Sequence, residues 1–188
     1  MLVTFRIKDT ETKLHSKPAA ISASELAALT RKLHMGDSAI DVDPGEFGAA
    51  PLNFEINANA LSMAGFTSCF ANRVEIIEIV EEAQFLGRTL RVRHRERLAP
   101  IMIEVSEHIA LARDLRMSSD LAGKLLFALG RDSSAMGEVT LENLRDLLQD
   151  HRVYEAFCAG KIEPVYNSLV YLAFTDCGAQ HPVLEWAS

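Results

Sequence analysis

Cations recur at alternate positions in two segments: Arg6 and Lys8 near the start, and Arg91, Arg93 and Arg95 further on. Phe5 and Ile7 fill the intervening positions of the first segment, and Leu90 and Val92 those of the second. Successive side chains of a strand point to opposite faces, so the alternation predicts two half-buried strands with cationic outer faces. Rows of like charge on adjacent strands repel each other, and an anion relieves that repulsion. The chemistry such a face offers is anion binding, whether of a phosphate backbone, a nucleotide or an acidic protein patch. In Leu52-Asn-Phe-Glu-Ile-Asn-Ala58 the outward positions include Asn53 and Asn57, which add hydrogen-bonding groups. The expected binding set is therefore Arg6, Lys8, Asn53, Asn57, Arg91, Arg93 and Arg95. The alternative role for these cations is internal, in which they dock on an acidic part of the same chain or pair with Glu55 and solvent.

Other residues capable of chemistry form no complete set. Glu104, Glu107 and His108 share one side of a predicted helix, as in di-iron carboxylate sites, but the matching Glu-x-x-His of a partner helix is missing. Cys177-Gly-Ala-Gln-His181, taken with His151 and Cys158, has no standard zinc spacing. Asp37, Asp41, Asp43 and Glu46 lack the glycine and the twelfth-position glutamate of an EF-hand loop. Cys69 has no assignable histidine, and a buried structural thiol is the commoner state. Neither a Gly-x-Ser-x-Gly elbow nor a phosphate-binding glycine loop occurs. No catalytic residue, metal or cofactor is expected. An enzyme site at a domain junction would have to be assembled from Cys69, His94, Glu104 and His108.

The elements that position the cations follow from periodicity. Val3, Phe5 and Ile7 mark a strand; Ser22-Ala-Ser-Glu25 is a capping box before a helix carrying Leu26, Leu29 and Leu33 and stopped by Gly36. A short strand at 39–43, turn chemistry at Asp43-Pro-Gly-Glu-Phe-Gly48 and a strand at 52–58 come next. Asn72, three residues before Glu75, is the expected cap of a helix with Ile76, Ile77, Val80 and Ala83 inward; its β-branched content leaves a strand at 74–80 as the alternative. A strand at 89–97 and Pro100 close this half. The order strand, helix, strand, strand, helix, strand resembles the split β-α-β repeat of ferredoxin-like domains. That resemblance implies a strand order 4-1-3-2, with Arg91, Arg93 and Arg95 beside Arg6 and Lys8 and the asparagines one strand further. RNA-recognition domains of that fold stack bases on outward aromatic residues, whereas Phe5 and Phe54 fall on the apolar side here. Stacking readout is therefore not supported.

Beyond Pro100 the pattern predicts helices near 101–116, 119–130, 140–150, 152–159 and 164–174, with Ser119 and Thr140 as caps and Pro164 in a first turn. Residues 178–188 are expected to be irregular. The predicted fold class is α+β: a ferredoxin-like βαββαβ domain at 1–98 followed by an all-helical domain at 99–188. Within the second half, Leu111 to Leu126 resembles a helix-turn-helix motif, with Ala112 as the small residue, Met117-Ser118 as the turn, and Ala122 and Leu125 as the packing face. It departs from the family at Arg116, where a glycine is usual. The resemblance implies a DNA-binding regulator using 108–129. Charge opposes it: residues 1–99 carry 12 Lys/Arg against 13 Asp/Glu, and 100–188 carry 7 against 13.

A chain of 188 residues, 48% hydrophobic and 24% charged, has the composition of a soluble globular protein. No apolar run approaches the ~20 residues that cross a bilayer, so no membrane role is expected. The first residues lack the features of a signal peptide, and three widely spaced cysteines form no disulfide framework. A cytoplasmic location follows as the expectation. The expected function is non-catalytic: an adaptor, an inhibitor or a subunit of a nucleic-acid-associated assembly, engaging nucleic acid or an acidic protein surface through the basic sheet face. An acidic inhibitor that competes with nucleic acid for a basic partner is the opposite polarity. A homo-oligomer and a hetero-complex subunit are both open.

Overall fold

The computed structural model describes residues 1–35, 52–96, 98–111, 114–177 and 181–188. In chain order the elements are β1 (Leu2–Lys8), β2 (Ala19–Ile21), α1 (Ala23–Met35), β3 (Leu52–Asn57), α2 (Met63–Thr67), α3 (Val74–Phe85), β4 (Arg88–His94), β5 (Ile101–Ile109), β6 (Leu115–Ser118), α4 (Ser119–Ala128), β7 (Met136–Thr140), α5 (Leu141–Gln149), α6 (His151–Ala159), α7 (Glu163–Ala173) and β8 (Val183–Ala187). They form two compact units: a middle unit, Lys13–Ala110, and an end unit made of Met1–Thr12 with Leu111–Ser188. The class is mixed α+β, and every strand pairing described is antiparallel.

The middle unit is a sheet in the order β3-β4-β5-β2. Period-two alternation puts Phe54, Ile56, Leu90, Val92, Ile103 and Val105 on one face, where Leu26, Leu29 and Leu33 of α1 and Ile76, Ile79, Val80 and Ala83 of α3 bury with them. Each of the larger side chains contributes about 1.5–3 kcal/mol on full burial, which holds α3 as a helix despite its β-branched residues. The capping box of α1 forms: Ser22 N donates to Glu25 Oε2 at 2.7 Å and Glu25 N to Ser22 Oγ at 3.2 Å. Asn72 does not cap α3. It lies in the left-handed region with Ala71 (φ 57° and 51°), and Arg73 is the N-cap residue, without a side-chain bond.

The end unit is a sheet in the order β6-β1-β8-β7, carrying α4 to α7. Phe5, Leu125, Leu144, Phe157, Leu169, Leu184 and Trp186 are among its buried residues. Gly137 stands opposite Trp186 in the β7–β8 register, and the indole lies where a side chain at 137 would sit.

Several expectations are corrected. The 4-1-3-2 order is not formed: β1 pairs with β6 and β8, so Arg6 and Lys8 belong to the end unit, while β4 pairs with β3 and β5. The helix expected at 101–116 is the two strands β5 and β6; Ile101, Ile103 and Val105 alternate with Met102 and Glu104 at a strand's period. The half after residue 98 is thus not all helical, and the observed units part near 12 and 110 rather than at 98. Leu115–Ser118 being a strand, the first helix of a helix-turn-helix is absent, and α4 is an ordinary helix capped by Ser118 in place of Ser119. The tail expected to be irregular supplies β8, a central strand, because Leu184 and Trp186 alternate with Val183 and Glu185 and bury one face. The strand at 39–43, the turn at 43–48 and the acidic set Asp37, Asp41, Asp43 and Glu46 lie outside the described residues.

Candidate functional site

On the polar face of the middle unit, β4 lies between two strands that bring carboxylates to its arginines. Glu55 of β3 stands opposite Arg91, and Arg91 stands opposite Glu104 of β5. Arg91 Nε and Nη2 each lie 3.1 Å from Glu55 Oε1, and Nη2 reaches Glu107 Oε1 at 3.3 Å. Arg93 Nη2 donates to Glu104 Oε2 at 2.8 Å. Arg95 follows the end of β4, is exposed, and forms no ion pair among the described residues. Asn53 and Asn57 are exposed, and Asn57 Oδ1 accepts from the Asn59 amide at 2.9 Å. In the end unit Arg6 Nη2 meets Asp114 at 2.6 Å, and Lys8 Nζ lies 3.0 Å from Glu138 and 2.9 Å from Glu185. Hydrogen bonds to Glu185 and Glu138 push the Lys8 ammonium above its ordinary range, against the effect of burial. Four of the seven expected anion-binding residues thus hold carboxylates of their own chain.

The densest polar constellation converges on Glu55. The β4–β5 register shifts between Leu90↔Val105 and Arg88↔Ile109, so Ser106, Glu107 and His108 share the space facing Thr89. Such a bulge re-aims side chains. Glu55 Oε1 lies 2.7 Å from both Ser106 Oγ and His108 Nδ1, and its Oε2 accepts from Thr89 Oγ1 at 2.9 Å. Burial by itself raises the Glu55 pKa, but the His108 imidazole and the Ser106 and Thr89 hydroxyls outweigh it and hold the carboxyl at about 2. The group is therefore a carboxylate at neutral pH, and His108 Nδ1 must be the donor to it.

This arrangement does not present a nucleophile or a general base. The Ser106 proton goes to Glu55, and Ser106 is buried to 1% exposure. A carboxylate filled by donors from Arg91, Thr89, Ser106 and His108 has little basicity left. The other junction candidates are also engaged: Cys69 Sγ donates to Gly65 O at 3.4 Å, His94 Nε2 lies 2.9 Å from Ala99 O, and Glu104 holds Arg93. Glu104, Glu107 and His108 stand on a strand, which removes the helical geometry of a di-iron site. Among the described residues, no three His, Cys, Asp or Glu side chains are placed to hold a metal ion, and no helix is long and apolar enough to cross a membrane. The hub around Glu55 was missed in the sequence because it depends on the bulge; the available signal was the i, i+2 pair Ser106 and His108 following Ile101-Met-Ile-Glu-Val105. No protein-family model, curated protein or solved structure matches this chain.

Proposed function

We propose that this chain is a non-catalytic binding protein, an adaptor or inhibitor, that offers an acidic surface to a basic macromolecular partner and competes with nucleic acid for it. The observation that supports this polarity is local: most cations of the expected basic face are held by the chain's own carboxylates, whereas α3 and α5 each present two carboxylates without an ion pair among the described residues. Arg6, Lys8, Arg91 and Arg93 each carry an intramolecular carboxylate. Glu78 and Glu81 of α3 and Glu142 and Asp146 of α5 are exposed and form no ion pair among the described residues. With a net charge of -7, the field met by an approaching partner is negative. That field speeds encounter with a basic protein and opposes encounter with a phosphate backbone. The anion-gripping face loses support on the same ground, since a phosphate arriving at Arg91 or Arg93 has to displace a carboxylate already bonded there. A reducing cytoplasm, in which the free thiols Cys69, Cys158 and Cys177 persist, is the setting that fits this role.

The test is affinity capture from the native host, with and without nuclease, read by mass spectrometry and by the ultraviolet absorbance ratio for nucleic acid. The expected result is a basic protein retained free of nucleic acid and released by salt. Reversing Glu78 and Glu81, or Glu142 and Asp146, to lysine should slow its association. Direct, salt-dependent binding of nucleic acid by the purified chain, or indifference of the partner to both reversals, overturns the reading.

A further inference from the structure

An open cleft of about 890 Å³ runs between α4 and α6 in the end unit. Small residues line it: Gly123 and Ala128 of α4, and Ala156, Ala159 and Gly160 at the end of α6. Phe127 lines it too, and that side chain is 82% exposed. One patch of surface therefore carries both a bulky apolar knob and a hollow walled by small side chains. Its charges are balanced as well, with Asp120 and Asp132 set against Lys124 and Arg131. Lys124 and Asp120 meet at 3.2 Å on the helix surface, while Arg131 and Asp132 form no ion pair among the described residues.

A two-fold interface brings the same patch of both subunits together, so the patch has to be complementary to itself. A knob beside a hollow satisfies that in shape, and Arg131 and Asp132, without an ion pair among the described residues, satisfy it in electrostatics, each of one copy facing its opposite on the other. We propose that the α4–α6 cleft is where a second copy of this chain docks, with Phe127 of each copy entering the hollow of the other. Gly123 agrees with this assignment. A side chain added there would meet only Ser133 Cβ at 3.9 Å, so packing within one copy does not require glycine in the middle of α4, where it weakens the helix. Between copies, the missing side chain lets the facing helix turn approach closely. A cleft of this volume, at the upper end of the range that encloses whole ligands, takes the phenyl ring together with the turn that carries it.

Sedimentation equilibrium of the full chain over a wide concentration range tests the proposal. The wild type should associate to a dimer and no further. Phe127→Glu should keep its circular dichroism and melting temperature, because the ring is outside the core, and should weaken dimerisation at least about tenfold, as loss of a central aromatic anchor does. Gly123→Met, which has room in the single copy, should do the same by filling the hollow. Arg131→Asp should weaken the dimer, and the double exchange Arg131→Asp with Asp132→Arg should recover it. A wild type that stays monomeric up to its solubility limit overturns the proposal and leaves the cleft to a different occupant. A dimer that survives both Phe127→Glu and Gly123→Met, with the fold intact, places the interface elsewhere and overturns it equally.

Discussion

His108 Nδ1 lies 2.7 Å from Glu55 Oε1, although the two residues stand on β5 and β3, which do not pair with each other. The contact passes over β4 and depends on the bulge that crowds Ser106–His108 against Thr89. It links the register of three strands through one carboxylate. Because that carboxylate is 16% exposed and its pKa falls from 4.5 to about 2 on folding, it couples stability to pH. A depressed carboxyl contributes stability that is fully present above the unfolded pKa and is lost as pH falls through the folded one. The window is therefore about pH 4.5 to 2, and the contribution is about 3 kcal/mol at neutral pH. Urea denaturation of wild type and Glu55→Gln at neutral pH and across that window checks it. The variant should be less stable at neutral pH and should lose less on acidification; parallel curves would contradict the coupling.

The paired arginines should behave differently from Arg95. Arg91→Ser takes a guanidinium away from Glu55 and Glu107, and Arg93→Ser takes one away from Glu104. Removing one member of a partly buried pair costs more than the pair contributed, because an uncompensated charge remains. Melting temperatures should fall by several degrees for Arg91→Ser and Arg93→Ser and stay within error for Arg95→Ser, a surface change without such a partner. Equal melting temperatures for all three would mean that the arginines are free for an external anion.

The difference between these arginines was partly legible in the sequence. Alternation in Leu90-Arg-Val-Arg-His94 places the cations on one face, and that placement holds. What alternation cannot give is the neighbouring strand. Glu104 reaches Arg93 and Glu107 reaches Arg91 only because 101–109 is a strand hairpinned back on β4, whereas Glu104, Glu107 and His108 also fit one helical side. Short apolar runs leave helix and strand ambiguous, and tertiary pairing decides. β8 was expected to be irregular, because its short alternation gains meaning only from pairing with β1 and β7. The helices α1, α5 and α7 were readable because a cap or a proline punctuates them locally: Ser22 with Glu25, Thr140 and Pro164; α4 and α6 followed from their apolar stripes, although their caps are Ser118, where Ser119 was expected, and Asp150.

Ala71 offers a stabilising substitution. Its φ of 51° is left-handed, a region that costs a residue with a Cβ about 1–2 kcal/mol, and it precedes a second left-handed residue, Asn72. Glycine adopts this conformation without that penalty but gains entropy in the unfolded chain, worth roughly 0.4–1 kcal/mol in the opposite sense. Ala71→Gly should therefore raise stability slightly, by about 0.5–1 kcal/mol net, in chemical denaturation. Ala71→Val, β-branched at the same φ, should lower it. A destabilised glycine variant would show that the Ala71 methyl packs against something that outweighs the strain.

Gly137 should tolerate no side chain. A Cβ added there would lie 2.7 Å from Trp186 Cε2, well inside contact distance, and the indole is pinned by its bond from Nε1 to Ser134 O at 3.3 Å. Trp186 is 5% exposed and its ring lies tilted against that of Phe5, centroids 6.1 Å apart, so it cannot swing aside without opening the sheet core. Overpacking of this kind costs about 1–3 kcal/mol, and Gly137→Ala should show a loss of that size in urea midpoint at unchanged slope. A smaller ring relieves the clash, so Trp186→Phe should cost stability alone through the emptied space and the lost bond. Combined with Gly137→Ala, it should cost less than the two single losses together, which is how directly contacting residues couple. Strict additivity of the two changes would show that the glycine is held by backbone conformation rather than by the indole.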